Sequence, residues 1–180
     1  MIKVYILIIL LIINTLYYKS YYYFLPTIPI YPDNKKETKL VKKYIKNRTQ
    51  EDIDFFYKTN ISVSYAFLPY VEENIDELND IIHAVTPTIL AFKYLINRAR
   101  PSQIDNSIVP INIKTARTPA YPAGHAYQAY YLCKVLTKKY PQFKTQFETI
   151  AHHCDLTRVK AGLHYPSDGK FSKYLVDFFS

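Results

Sequence analysis

The chain has 180 residues, 49% of them apolar, with 11 prolines against three glycines. That content excludes long disorder, leaves space for one domain of about 130 to 155 residues after an apolar N-terminus, and favours sharply ended helices over a turn-rich β fold. The net charge of +8 is confined to the second half: residues 1–80 carry ten basic and ten acidic side chains, residues 81–180 thirteen and five. That half should attract anions. No zinc-finger spacing, basic heptad or aromatic RNA-binding signature accompanies the charge, which argues against nucleic acid as the partner. Cys133 and Cys154 form no metal-type pair, so two free thiols and one disulfide both stay open.

In chain order, the first element is an apolar run from Val4 to Ile13 with Lys3 before it and Lys19 after it. Continued through "YYKSYYYFL" to Leu25, it reaches the length of about 20 residues that a bilayer requires. Residues 1–25 are therefore expected to act as a single membrane anchor, or as a signal segment whose cleavage would release the domain outside the membrane. Pro26, Pro29 and Pro32 make residues 26–34 an extended linker, and the folded domain is expected over residues 35–180.

Residues 35–48 carry seven basic groups and one acidic, with Leu40, Val41, Tyr44 and Ile45 at helical spacing, which predicts an amphipathic helix with a solvated basic face. Thr49 followed by Asp52 predicts a capped helix through the mid-fifties, and an acidic amphipathic segment follows over residues 72–82. Thr86-Pro87 opens a helix that Pro101 is expected to end. Residues 102–122 read as one long loop, a length usually tied to function. Three more helices are expected: residues 124–140, stopped by Pro141; residues 143–161, ended by Gly162; and a last one from Pro166. No β alternation or internal repeat intervenes, so the predicted fold is all-α.

Chemistry gathers at the ends of these elements. Lys93 and Arg100 are seven apart, two turns on one face of the predicted helix. Gly124-His125 opens the next helix, where free backbone N–H groups and the dipole favour an anion and a glycine permits close approach. Arg158 lies late in the following helix, and His164 precedes Asp168 by four. A carboxylate accepting from one imidazole nitrogen fixes the tautomer and leaves the other nitrogen as a nucleophile. Two histidines, three cations and one carboxylate suit phosphoryl transfer without a metal. The run His152-His153-Cys154-Asp155 is not a metal site, since adjacent helical residues point about 100° apart and no distant ligand pair completes it.

These residues resemble a known family. "KYLINRARP", "PAGH" and "TRVKAGLHYPSD" are similar to the three signatures of the type 2 phosphatidic acid phosphatase superfamily, K-x6-R-P, P-S-G-H and S-R-x5-H-x3-D. Nine of the eleven specified positions match. The superfamily includes acid phosphatases, lipid phosphatases and vanadium-dependent haloperoxidases, and the resemblance spans about residues 85–179.

It implies an all-α helical bundle in which His164 becomes a phosphohistidine, Asp168 orients it and His125 is the general acid. Lys93, Arg100, Arg158 and the Gly124 amide would hold the phosphate. Two hydroxyls depart from the pattern: Thr157 retains one, whereas Ala123 replaces the serine of P-S-G-H.

The implied activity is metal-independent hydrolysis of a lipid or soluble phosphate monoester, with vanadate as inhibitor. A vanadate-dependent haloperoxidase, with vanadate as cofactor, and a weakly active or inactive membrane-tethered phosphate-binding relative are the alternatives. Absence of the serine hydroxyl at Ala123 is expected to cost about 1.5–3 kcal/mol of anion stabilisation, roughly tenfold to a hundredfold in rate.

Overall fold

A computed structural model of the protein describes residues 30–113 and 116–179. The apolar segment 1–25 and the start of the linker lie outside the described residues. The architecture is all-α: α1 (Asn34–Lys46), α2 (Gln50–Ile61), the single turn α3 (Ser64–Phe67), α4 (Ile75–Ala84), α5 (Thr86–Ile96), the single turn α6 (Pro101–Ile104), α7 (Gly124–Lys139), α8 (Lys144–Lys160) and α9 (Pro166–Phe179). No strand occurs among the described residues, and no helix there is long and apolar enough to cross a membrane.

Local chemistry sets most of the boundaries. The Asp33 carboxylate accepts from the Lys36 amide at 2.8 Å and starts α1. Thr49 and Asp52 close a reciprocal capping box on α2, and Asn74 with Glu77 does the same for α4, so the acidic segment becomes helical only from Ile75. Each such cap contributes about 1 kcal/mol.

The helix begun at Thr86 ends earlier than the sequence predicts. Asn97 turns left-handed, φ 52°, and its amide bonds back to the Lys93 carbonyl. Asparagine tolerates that conformation. Arg100 is extended, φ −76° and ψ 158°, as the ring of a following proline demands. Pro101 therefore opens α6 instead of closing α5, and Lys93 and Arg100 do not share a helix face.

The long α7 is the spine, with α8 and α9 packed along it. Leu132 and Leu136 of α7 meet Phe147 and Ala151 of α8, together with Phe67, Leu78 and Ile82 from the first half. A second cluster joins Ile89 of α5 to Tyr127, Leu175 and Val176. A third sets Val41 of α1 against Ile108, Ala120, Val159 and Tyr165, so α1 uses its apolar stripe to cover the loop that follows α6. Cys133 and Cys154 are free and buried. Burial pushes the Cys154 thiol up to about 12, which makes it inert.

Two glycines are fixed by the chain itself. Gly162 has φ 76°, and a Cβ there would come within 3.2 Å of the Pro110 Cα. It turns the chain out of α8 towards His164. At Gly169 a Cβ would fall 1.8 Å from the Asp155 Oδ1, so the Asp155 carboxylate of α8 lies directly against the first turn of α9.

Tyr130 donates to the Oδ2 of Asp155 at 3.1 Å, and its Oδ1 is buried without a partner. Burial raises this carboxyl to about 7, with Asp168 adding in the same direction. Since the folded state then binds the proton more tightly than the unfolded chain, the stability it contributes is present below pH 4 and is lost as pH rises to 7. Asp155→Asn removes that loss: relative to the parent, it should gain about 2 kcal/mol between pH 5 and pH 8.5 in paired urea melts.

Candidate active site

The site forms where the ends of α5, α7, α8 and α9 meet the loop following α6. Lys93, in the last turn of α5, is 4% exposed and donates from Nζ to the Pro119 carbonyl at 2.6 Å. Burial, then the nearby Arg100, holds its ammonium well below the ordinary lysine value, while Asp168 opposes them. Arg100 reaches the same loop from its extended segment. It donates from Nε to the Thr118 carbonyl and from Nη1 to the Leu163 carbonyl, each at 2.9 Å. These two cations tie the loop to the bundle with part of their donor capacity.

His164 and Asp168 sit at the start of α9. Asp168 is fully buried, and its Oδ2 takes the His164 Nδ1 at 2.9 Å and the Tyr165 amide at 2.9 Å. With Nδ1 donating to a carboxylate, Nε2 carries the ring's lone pair. That atom is 3.4 Å from the Arg100 Nη1. Burial, then Arg100, Lys93 and Arg158, hold the imidazole well below its usual value. All three cations of the sequence motif thus act on one ring, and the ring stays neutral at neutral pH.

Arg158 is held from behind by α2: it donates to the Thr59 Oγ1 at 2.6 Å, the Asn60 Oδ1 at 3.3 Å and the Phe56 carbonyl at 3.4 Å. Its Nε is buried with no partner. Burial lowers the guanidinium to about 10, so it remains charged at neutral pH.

His125 is half-buried in the first turn of α7. Burial, then Arg158 and His164, push it well below the ordinary histidine value, and a hydrogen bond to the Asn60 backbone works the other way. A Cβ on Gly124 would meet the Ile89 Cγ2 and the Lys93 Cε at 3.6 Å, ordinary contact distances. Packing therefore does not demand this glycine, unlike the other two.

Ala123 is the N-cap of α7, fully buried, with no side-chain cap. Serine is among the best residues there, because its oxygen can accept an amide of the first turn. Ala123→Ser should raise stability by about 0.5–1 kcal/mol in thermal melts. A fall would show the pocket too tight for the added oxygen.

The sequence reading missed Arg98. This residue is completely buried, yet it makes ion pairs with the Asp168 Oδ1 at 2.6 Å and the Glu37 Oε2 at 2.7 Å. It also donates to Ser167 Oγ and Asn34 Oδ1, and its guanidinium lies 3.8 Å from the centre of the Tyr165 ring and 4.5 Å from that of Tyr31. Ser167 Oγ in turn bonds to Glu37. Arg98 so links α1 to the first turn of α9 and fixes the carboxylate that bonds His164.

One clue was present. Glu37 is the single acid in a stretch with seven basic groups, and it is buried while its lysine neighbours are largely exposed. The helix expected to combine an apolar stripe with a solvated basic face also contributes an inward carboxylate. Among the described residues no group of histidine, cysteine and carboxylate side chains could hold a metal ion.

No family model matches the chain, and no curated protein matches it. Among solved structures it is similar to the first transmembrane PAP2 type phosphatidylglycerolphosphate phosphatase from Bacillus subtilis, with a TM-score of 0.55 and 17% sequence identity over 98% of this chain and 94% of that chain. With its all-helical framework matched over nearly the full length of both chains, this protein has the PAP2-type phosphatase fold.

Proposed function

We propose that the protein is a metal-independent phosphatase acting on phosphate monoesters through a phosphohistidine at His164. The observation that carries this reading is the His164 imidazole itself. Its Nδ1 is bonded to Asp168, and its Nε2 faces Arg100, in a field made by Lys93, Arg100 and Arg158.

In the proposed reaction the Nε2 lone pair attacks phosphorus, and the bond from phosphorus to the ester oxygen breaks. His125 gives its proton to the departing oxygen. Lys93, Arg100, Arg158 and the Gly124 amide hold the equatorial oxygens, where negative charge accumulates. Water then attacks the phosphohistidine, losing its proton to His125, and the P–N bond breaks to release inorganic phosphate.

The low values of both histidines set the expected pH dependence. His164 must be neutral to attack, and its depressed value keeps it so into the acid range. His125 must be protonated to act as acid, and its depressed value makes protonation scarcer as pH rises. kcat/KM should therefore fall by about tenfold per pH unit on the alkaline limb, starting from an acidic optimum. A rate that climbs from pH 6 to pH 9 would exclude His125 as the acid.

The membrane role of residues 1–25 belongs to the same proposal, with the domain held by one N-terminal segment. The functional test is hydrolysis of p-nitrophenyl phosphate in EDTA, with and without orthovanadate. Turnover resistant to EDTA and blocked by vanadate is expected. Bromide oxidation appearing only with vanadate and peroxide would replace this reading with a haloperoxidase.

A further inference from the structure

A groove of about 790 Å³ opens on the face of the bundle formed by α7, α8 and α9, and none of the candidate active-site residues lines it. The wall between the two is the contact of Asp155 with Gly169, the residue after Asp168. Lys134 and Lys138 of α7 line the groove together with Lys170 and Lys173 of α9. Spacings of four and three residues place each pair on one face of its helix. Its floor is apolar, from Tyr130, Leu156, Val159 and Val176.

The lysines are not neutralised by the protein. Among the described residues, none of the four lies within ion-pair distance of a carboxylate, and Lys134 Nζ reaches only the Val176 carbonyl, at 3.4 Å. Three acids also line the groove. Glu148 lies 3.9 Å from Lys144, which lines the groove as a fifth lysine, and Asp155 is buried against Tyr130 and Gly169, which leaves Glu148 and Asp177 as the exposed carboxylates against five lysines. Gathering like charges around one opening is unfavourable for the free protein and is relieved by a bound anion.

We propose that this groove is a second ligand site, distinct from the candidate active site, for an anionic amphiphile: a sulfonate-, phosphate- or carboxylate-headed molecule with a short apolar body. The head lies among Lys134, Lys138, Lys170 and Lys173, and the body covers the floor. Neither the site nor its ligand class depends on the phosphatase reading.

The test is isothermal titration of the full chain with octane-1-sulfonate, which cannot be hydrolysed as a phosphate ester. One bound molecule per chain is expected, with affinity unchanged by saturating orthovanadate. Lys134→Gln/Lys173→Gln should weaken it about tenfold, and Lys134→Arg/Lys173→Arg should retain it. Absence of binding, or equal affinity in the glutamine variant, would overturn the proposal. Equal affinity for 1-octanol would reduce the groove to an apolar surface, and competition by vanadate would assign the ligand to the active site; either result rejects the site as proposed.

Discussion

Replacing Arg98 with methionine is expected to cost about 3–5 kcal/mol in urea unfolding followed by circular dichroism. The reason is what remains behind. Asp168 is fully buried and Glu37 nearly so, and both are paired with this one guanidinium at 2.6 and 2.7 Å. Removing it strands two carboxylates in a medium that cannot solvate them.

Arg98→Lys should recover little, because a single ammonium does not offer the separated donors that reach both acids and lacks the planar face stacked on Tyr165. Glu37→Gln in the Arg98→Met background should restore part of the loss, since one of the stranded charges is then absent. A loss below about 1 kcal/mol in Arg98→Met would show that the pair is not the structural tie between α1 and α9 inferred here.

The second large effect falls on turnover. His164→Ala should reduce kcat on a phosphate monoester by about four orders of magnitude or more, with fold and melting temperature nearly intact. Asp168→Asn should lower kcat by about a hundredfold to ten-thousandfold, because an amide can present a donor to Nδ1 and favour the tautomer whose Nε2 is protonated. KM should change far less than kcat in both, as the cations proposed to hold phosphate remain. Unlike His164→Ala, Asp168→Asn should also destabilise, because it takes the partner of Arg98. That difference separates the proposed nucleophile from the residue that positions it.

Most helix boundaries were legible because they rest on local chemistry. Thr49 with Asp52, Gly162 and Pro166 act within one turn of themselves, and the elements begin or end where those residues predict. The helix carrying Lys93 was misjudged because two local rules compete there. Pro101 reads as a terminator, but Asn97 had already turned left-handed, and the proline serves as the first residue of the next turn. Lys93 and Arg100 still act on the same imidazole, by a route that heptad spacing does not describe.

Arg98 was not legible for a different reason. Its partners lie 61 and 70 residues away in the chain, so no window of sequence contains the pair. Arg158 presents a similar case: its supports come from Phe56, Thr59 and Asn60 of α2, a helix with no chemical signature of its own. The motif residues, Asp168 among them, are recognisable from the sequence, whereas Arg98 and the α2 residues that brace Arg158 are recognisable only after the helices have met.

The central claim is a covalent bond between His164 and phosphorus. The direct measurement is rapid acid-free quenching of the enzyme with a phosphorus-labelled monoester, followed by peptide mapping. Label is expected on the peptide containing His164, lost in acid, stable in base, and absent in His164→Ala. Label on His125 instead, or turnover in His164→Ala equal to that of the parent, would contradict it.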